Sequence, residues 1–312
     1  MKHIFVINPA AGKSDSRQRI YQMAEALRQR HGLDTECILT KSSGHATALC
    51  RGIAAAGGGV RFYACGGDGT ANEIANGVAG FDNAAMTVVP IGTGNDLLKN
   101  FGADAGKFRD PENLWNSAAQ KLDLIDCNAK LCLTIACSGV DARIARDVHK
   151  YSVTPLLDGK GSYVASLIVN FLFKGIGSHW TVSLDGTELE TKDFAVIAVC
   201  NGRYYGGGFM PVAEASMTDG VLNTLIVKKV SRVRFLQFVG DYSRGGYGKF
   251  PRFAFCSTAS VIRIRSDKPD IVTCLDGECF SSDGVTLRLS DKKLNFFGPV
   301  GCSPDATLRP KM

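Results

Sequence analysis

No stretch of this sequence is apolar for long enough to cross a bilayer. The longest, Tyr163 to Phe173, is interrupted by Ser166 and Asn170 and stops at Lys174, whereas a spanning helix needs about 20 residues. The opening Met-Lys-His-Ile-Phe-Val-Ile-Asn-Pro holds too short an apolar core for a signal peptide. Membrane contact is therefore expected to be peripheral. There are 11 cysteines but no Cys-x-x-Cys pair, and the five-residue spacing of Cys127, Cys132 and Cys137 suits neither zinc nor an iron–sulfur cluster. The odd count, and the apolar neighbours of Cys132, Cys137 and Cys200, read as reduced core thiols in a cytoplasmic protein. A basic stripe interleaved with aromatics is also missing, so nucleic acid is not an expected partner.

The charge that is present is mildly basic. With 36 basic and 30 acidic residues the formal charge is +6, which favours an anionic partner such as a phosphate-bearing ligand or an anionic membrane surface. At 312 residues the chain is long enough for two domains. Its first 125 residues alternate strand and helix signals: strands at Ile4–Ile7, Thr35–Leu39, Val60–Ala64 and Met86–Val89, helices at Gln18–Gln29 and Ala46–Ala56, and another beginning near Thr70–Asn72. That alternation predicts an α/β domain over residues 1–124 with a parallel sheet. Strand signals then dominate: Leu131–Ala136, Trp180–Leu184, Ala195–Val199, Leu222–Val227, Ser260–Arg265 and Val285–Leu289, with helical signals at Tyr163–Phe173 and Val233–Tyr242. Residues 125–290 are expected to form a mainly antiparallel β-sandwich domain, and the tail 291–312 to return to the first domain.

Three glycine-bearing turns follow strands of the first half: Asn8-Pro9-Ala10-Ala11-Gly12-Lys13, Gly66-Gly67-Asp68-Gly69-Thr70, and Gly92-Thr93-Gly94-Asn95-Asp96. In an open parallel sheet ligands bind beyond the carboxyl ends of the strands. Glycine lets backbone N–H groups approach phosphate oxygens with no Cβ in the way, and a helix N-terminus near Thr70 adds its dipole. Neither a P-loop nor a dinucleotide fingerprint is present. Asp68, set among backbone donors, fits Mg²⁺ held through water better than direct phosphate contact.

Taken together these blocks resemble the diacylglycerol kinase catalytic family of soluble bacterial lipid kinases, related to sphingosine kinases. The resemblance extends through Gly66–Glu73, Pro90–Asp96, Ser138–Ala142, Asn201–Gly208, Ala215–Leu222 and Leu275–Glu278. Gly-Gly-Asp-Gly-Thr alone is shared with NAD kinases and, loosely, phosphofructokinases, which marks the expected fold of the first domain. The resemblance implies ATP and Mg²⁺ as cofactors, with Asn8, Pro9, Ala10, Ala11, Gly12, Thr40, Gly66, Gly67, Asp68, Gly69, Thr70, Ala71, Asn72 and Thr93 at the nucleotide. It implies Asp276 as the general base toward diacylglycerol or another lipid alcohol. It also implies a second, structural magnesium site at Ser216, Asp219 and the Val221 carbonyl. Ser216 stands where the family has an acid, so that site is expected to be weakened or absent. A kinase of a soluble substrate such as NAD, and a non-catalytic nucleotide-binding regulator, stay open as alternatives; so does a homodimer.

Overall fold

The computed structural model describes residues 1–12, 15–92, 94–151 and 175–305. The expected helix at Tyr163–Phe173, and the residues Lys13 and Thr93, lie outside them. The chain divides into two compact units. Unit 1 holds Met1–Leu124, Ser216–Asp219 and the residues from Ser290 on; unit 2 holds Ile125–Ala215 and Gly220–Leu289.

Unit 1 opens with β1 (Lys2–Ile7), α1 (Arg17–His31), β2 (Asp34–Leu39), α2 (His45–Ala55), β3 (Val60–Gly66), α3 (Asp68–Val78), β4 (Ala84–Pro90), α4 (Asp96–Lys99) and β5 (Ala119–Leu122). Ile4 to Ile7 are fully buried, as are Phe62 to Cys65. Continuous apolar strands of this kind belong in a parallel sheet covered on both faces. β1 pairs in parallel with β2 and β3, and β3 with β4. The sheet order is β2-β1-β3-β4, then the strand Leu294–Phe297, then β5. That late strand runs parallel to β4 and antiparallel to β5, and Leu294, Phe296 and Phe297 are fully buried. This late strand is thus an interior strand of the first sheet.

Unit 2 contains β6 (Ile125–Cys127), β7 (Lys130–Cys132), β8 (Ile135–Gly139), α5 (Val140–Tyr151), β9 (Ser178–His179), β10 (Thr181–Leu184), β11 (Thr187–Glu188), β12 (Asp193–Cys200) and β13 (Asn223–Lys228). It continues with α6 (Arg232–Tyr242), β14 (Ala254–Thr258), β15 (Val261–Arg265), β16 (Ile271–Leu275), β17 (Glu278–Ser282) and β18 (Gly284–Leu289). Two antiparallel sheets form a sandwich, in the orders β11-β10-β15-β18-β6-β7 and β14-β13-β12-β8-β16-β17. Trp180, Ile197, Val199, Ile226, Ile262 and Leu287 fill the space between them. The other face of the second sheet is covered by Val140, Ala142 and Ile144 of α5 and by Phe235, Phe238 and Tyr242 of α6.

Two expectations need correction. Leu131–Ala136 reads as one strand, but the chain changes sheets at Leu133–Thr134, between β7 and β8. A carboxylate from another part of unit 2 takes up the backbone donors at the break, as described below. The helix α5 lies outside the expected helical signals: Gly139, at φ 122°, stands immediately before it in place of a Ser, Thr, Asn or Asp cap. Among the described residues no helix is long and apolar enough to cross a membrane.

Candidate functional site

The register of unit 1 brings the glycine turns to one edge. Ile7 lies opposite Leu39 and Cys65, and Gly66 lies opposite Pro90. The turn after β1, Thr40 after β2, the turn after β3 and the turn after β4 therefore all leave from the carboxyl ends of parallel strands. Asn8 folds its own turn: its Oδ1 accepts from the Ala10 N–H at 3.0 Å and its Nδ2 donates to the Thr70 hydroxyl at 3.1 Å. The Thr40 N–H donates to the Ile7 carbonyl at 2.8 Å. Asn72 is buried in α3 and accepts from Asn76 at 3.0 Å.

The second and third turns interlock through absent side chains. A Cβ on Gly66 would sit 2.2 Å from the Thr70 hydroxyl, and one on Gly92 would sit 2.6 Å from the Gly67 Cα. The Ile91 and Gly92 N–H groups both donate to the Gly66 carbonyl at 3.1 Å. Asp68 completes the brace. Its Oδ1 accepts from the Asp96 N–H at 2.7 Å, and a Cβ on Gly94 would come within 2.5 Å of its Oδ2. Asp68, expected to serve a metal, thus also fixes the turn after β4 and the first residue of α4. The Asp96 carboxylate is held by Lys99 at 2.5 Å. Glu73, one turn into α3, caps α2 by accepting from the Gly44 and Ala46 N–H groups at 2.9 and 3.2 Å.

These residues suit phosphate and magnesium. α3 has no side-chain cap at its N-terminus, Gly69 faces open space, and Asp68 and Asp96 bring two carboxylates to adjoining turns. Among the described residues no three His, Cys, Asp or Glu side chains form a ligand cluster. Any Mg²⁺ here would be held by one or two carboxylates and otherwise by water and phosphate oxygens, its usual habit.

Asp276 is set in unit 2 by a two-residue hairpin. Leu275 pairs with Glu278, and Asp276 and Gly277 both take positive φ, 46° and 99°, the conformation that an Asp-Gly turn favours. Its carboxylate reaches the break between β7 and β8. Oδ2 accepts from the Leu133 N–H at 2.5 Å, while Oδ1 accepts from the Thr134 N–H at 3.0 Å, the Thr134 hydroxyl at 2.5 Å and the Ile135 N–H at 3.4 Å. The carbonyls on the same stretch are taken by Asn201 and Gly202: Asn201 Nδ2 donates to Leu133, and both backbone N–H groups donate to Thr134. Asp276 and Asn201, 75 residues apart in a sequence that gives no local sign of it, thus fix one non-strand segment.

The expected structural magnesium site looks different. Asp219 belongs to unit 1 and Val221 to unit 2. The Ser216 hydroxyl donates to Asp305 Oδ2 at 2.7 Å and accepts from the Thr218 N–H at 3.2 Å. Asp305 also accepts from the Thr218 hydroxyl at 2.5 Å and from the Met217 N–H at 3.3 Å. Ser216 is therefore engaged within its own turn, and the residues present do not fit a cation held by Ser216. The carboxylate that the sequence lacks at 216 arrives from the tail, a pairing hidden by a separation of 89 residues. Asp305→Ala is expected to lower the stability of unit 1 by about 1–3 kcal/mol, since three donors lose a charged acceptor. The effect should be insensitive to EDTA. Thermal melting of both proteins with and without chelator checks this.

Unit 2 also holds a polar cluster inside its apolar layer. Asp141, at the start of α5, accepts from the Tyr205 hydroxyl at 2.9 Å and from the Ala142 N–H at 2.9 Å, and Tyr242 lies 2.5 Å from Tyr205, hydroxyl to hydroxyl. Burial pushes the Asp141 carboxyl up from 3.8 to about 6, against the Tyr205 and Ala142 donors that favour the anion. The unfolded chain releases this proton first, so stability falls as pH rises from about 4 to about 6. Relative to wild type, Asp141→Asn should gain stability over that window, by at most about 3 kcal/mol. Urea unfolding of both proteins at pH 4 and pH 7 tests it, and parallel curves would contradict it.

Comparison with known proteins gives the following. Residues 2–127 match the family model described as "Diacylglycerol kinase catalytic domain", and residues 134–298 match "YegS C-terminal NAD kinase beta sandwich-like domain". A Staphylococcus carnosus (strain TM300) protein named "Putative lipid kinase" is 27% identical over 297 residues, covering 93% of this chain and 94% of its own. The protein named "Diacylglycerol kinase" of Bacillus subtilis (strain 168) is 25% identical over 254 residues, covering 77% and 78%. Among solved structures, that of a "putative diacylglycerol kinase from Bacillus anthracis str. Sterne" superposes with a TM-score of 0.76 at 20% identity, covering 97% of this chain and 98% of the other. At that identity the structural likeness speaks for the fold.

Proposed function

The chain belongs to the diacylglycerol kinase catalytic-domain family, a family of lipid kinases, and from that premise we propose that it transfers the γ-phosphate of ATP to the hydroxyl of diacylglycerol or a related lipid alcohol, with Mg²⁺. One observation carries the reading furthest. Three strand-end turns of unit 1 converge on one edge, two of them interlock where only glycine fits, and a carboxylate braces them.

In this account Asn8–Gly12, Thr40, Gly66–Asn72 and Thr93 hold the nucleotide, with the N–H groups at the start of α3 directed to phosphate oxygens. When bound, Mg²⁺ neutralises charge on the phosphates. Asp68 would hold it through water, beside Asp96, from whose N–H it accepts a hydrogen bond and whose carboxylate is paired with Lys99. Asp276 orients the acceptor hydroxyl and takes its proton late in the transfer. A lipid alcohol is a weak acid, so fixing the carboxylate matters more than making it strongly basic. The hydrogen bonds from residues 133–135 supply that fixing. Ser216 takes no part as a magnesium ligand, and Asp219 and the Val221 carbonyl bind at most weakly without it. The enzyme works at the membrane surface, where its acceptor resides.

The test is phosphorylation of diacylglycerol in mixed micelles by MgATP. The expected result is lipid-borne phosphate that disappears when EDTA replaces Mg²⁺. Saturation by NAD in detergent-free solution would favour a soluble acceptor instead, and tight ATP binding without turnover on a broad lipid panel would favour a regulator.

A further inference from the structure

α6 has two faces of different character. Phe235, Phe238 and Tyr242 point into unit 2 and are at most 7% exposed, while Val233 and Leu236 are 67% and 53% exposed. Large apolar side chains seldom stand in water side by side. The other exposed ones among the described residues, Met1, Tyr21 and Val300, all belong to unit 1 and do not share an element. Val233 and Leu236 lie three apart on one helix, so they sit one above the other on its outer face.

The charge around them has one sign. From Lys228 to Gly240 the sequence is Lys-Lys-Val-Ser-Arg-Val-Arg-Phe-Leu-Gln-Phe-Val-Gly, with four cations and no acid. Lys229, Arg232 and Arg234 are exposed, and Lys228 lies over the Phe255 ring at 5.9 Å. The first acid on the helix, Asp241, is held by Lys249 at 2.5 Å. The Ser231 hydroxyl caps the helix by accepting from the Arg234 N–H at 3.4 Å, and Phe238 packs against Phe250 and Phe253, so this turn is well anchored.

We propose that the outer face of α6 is a docking surface for an anionic lipid bilayer. Val233 and Leu236 enter the headgroup–acyl boundary while Lys229, Arg232 and Arg234 meet lipid phosphates. Two apolar side chains are too few to hold a protein on a neutral membrane, and a few cations alone give contact that salt removes; the combination provides the two signals that reversible anchoring needs. The choice of a bilayer over a protein partner rests on charge complementarity and on the lipid-kinase reading above. Docking through α6 would keep the enzyme at the surface between successive acceptors.

The experiment is vesicle co-sedimentation of the full chain with pure phosphatidylcholine and with phosphatidylcholine containing one-third phosphatidylglycerol. Binding to the anionic vesicles is expected, at least tenfold weaker on the neutral ones and weakened by salt. Val233→Glu/Leu236→Glu and Arg232→Glu/Arg234→Glu should each reduce anionic-vesicle binding at least tenfold. Their melting temperatures should stay unchanged, because all four side chains are exposed. Equal binding to both vesicle types, or wild-type binding by both double variants, would overturn the proposal. So would a dimer seen by light scattering that Val233→Glu/Leu236→Glu dissociates, since the face would then be covered by a second copy. Turnover of a short-chain diacylglycerol below its micelle-forming concentration separates the two claims. If wild type and variants phosphorylate it equally while vesicle binding differs, both stand; if none phosphorylates it while vesicle binding still follows α6, the docking surface stands and the lipid-kinase reading fails.

Discussion

Asp276→Asn is expected to lower lipid phosphorylation by at least about a hundredfold while leaving ATP affinity within about twofold of wild type. The choice of Asn matters. The hairpin puts residue 276 at φ 46°, a conformation that Asn tolerates and most other residues do not. One amide oxygen can still accept from Thr134, but an amide NH₂ would face the Leu133 N–H, which now donates to Oδ2 at 2.5 Å. The lost acceptor costs about 1–3 kcal/mol of stability, local to unit 2. ATP, bound by the turns of unit 1, should still be held. Initial rates in mixed micelles, paired with calorimetric ATP binding, separate chemistry from folding. Near wild-type turnover would remove Asp276 from the mechanism and leave it as the clamp on the sheet-to-sheet crossing.

Gly92→Ala is expected to weaken ATP binding at least about a hundredfold, although it adds one methyl group to a partly exposed turn. The new Cβ would lie 2.6 Å from the Gly67 Cα and 3.1 Å from the Gly67 nitrogen, so backbone has to move and no side chain can swing aside. The turns after β3 and β4 would part. With them would go the bonds from Ile91 and Gly92 to the Gly66 carbonyl and from the Asp96 N–H to Asp68. Gly52→Ala, on the exposed side of α2 and outside the strand-end turns, is the control. A Cβ there meets nothing within 4 Å, so binding should fall by less than about tenfold. Equal behaviour of the two variants, measured by nucleotide titration, would show that the interlock does not shape the nucleotide site.

Much of this arrangement is legible in the sequence, and the limits have physical causes. β1 to β4 and the helices between them follow from apolar runs and turn residues within a few positions of each other, so local reading places them to within four residues. The sandwich is also recognisable from its strand density, but β16 and β17 are not: Ile271–Leu275 and Glu278–Ser282 join through the Leu275–Glu278 turn, whose Asp-Gly reads as a turn with no sign of the strands beside it. The interior strand Leu294–Phe297 is short, and only its buried partners β4 and β5 explain it. In the site, residue types marked the three glycine turns at the strand ends, because close approach of one backbone to another, as between Gly92 and Gly67, leaves room for glycine alone. They could not disclose that Asp68 braces Asp96, that Asp276 clamps Thr134, or that Asp305 closes on Ser216. Each of those bonds joins residues at least 28 positions apart, and a lone Asp carries no mark of its distant partner.

The Ser216 position shows how a distant residue can compensate for a local departure. Loss of an acid there points to a weakened metal site. The tail carboxylate of Asp305 holds the turn instead, so stability of the turn and competence for phosphoryl transfer become separate questions.

The most direct test of the central claim is to supply radiolabelled ATP and Mg²⁺ to the purified protein with a total lipid extract, and in parallel with NAD, and to follow the label. The account predicts label in the organic phase, in a lipid phosphate monoester that Asp276→Asn fails to make. Label transferred to NAD, or none transferred by a protein that binds ATP tightly, would contradict it.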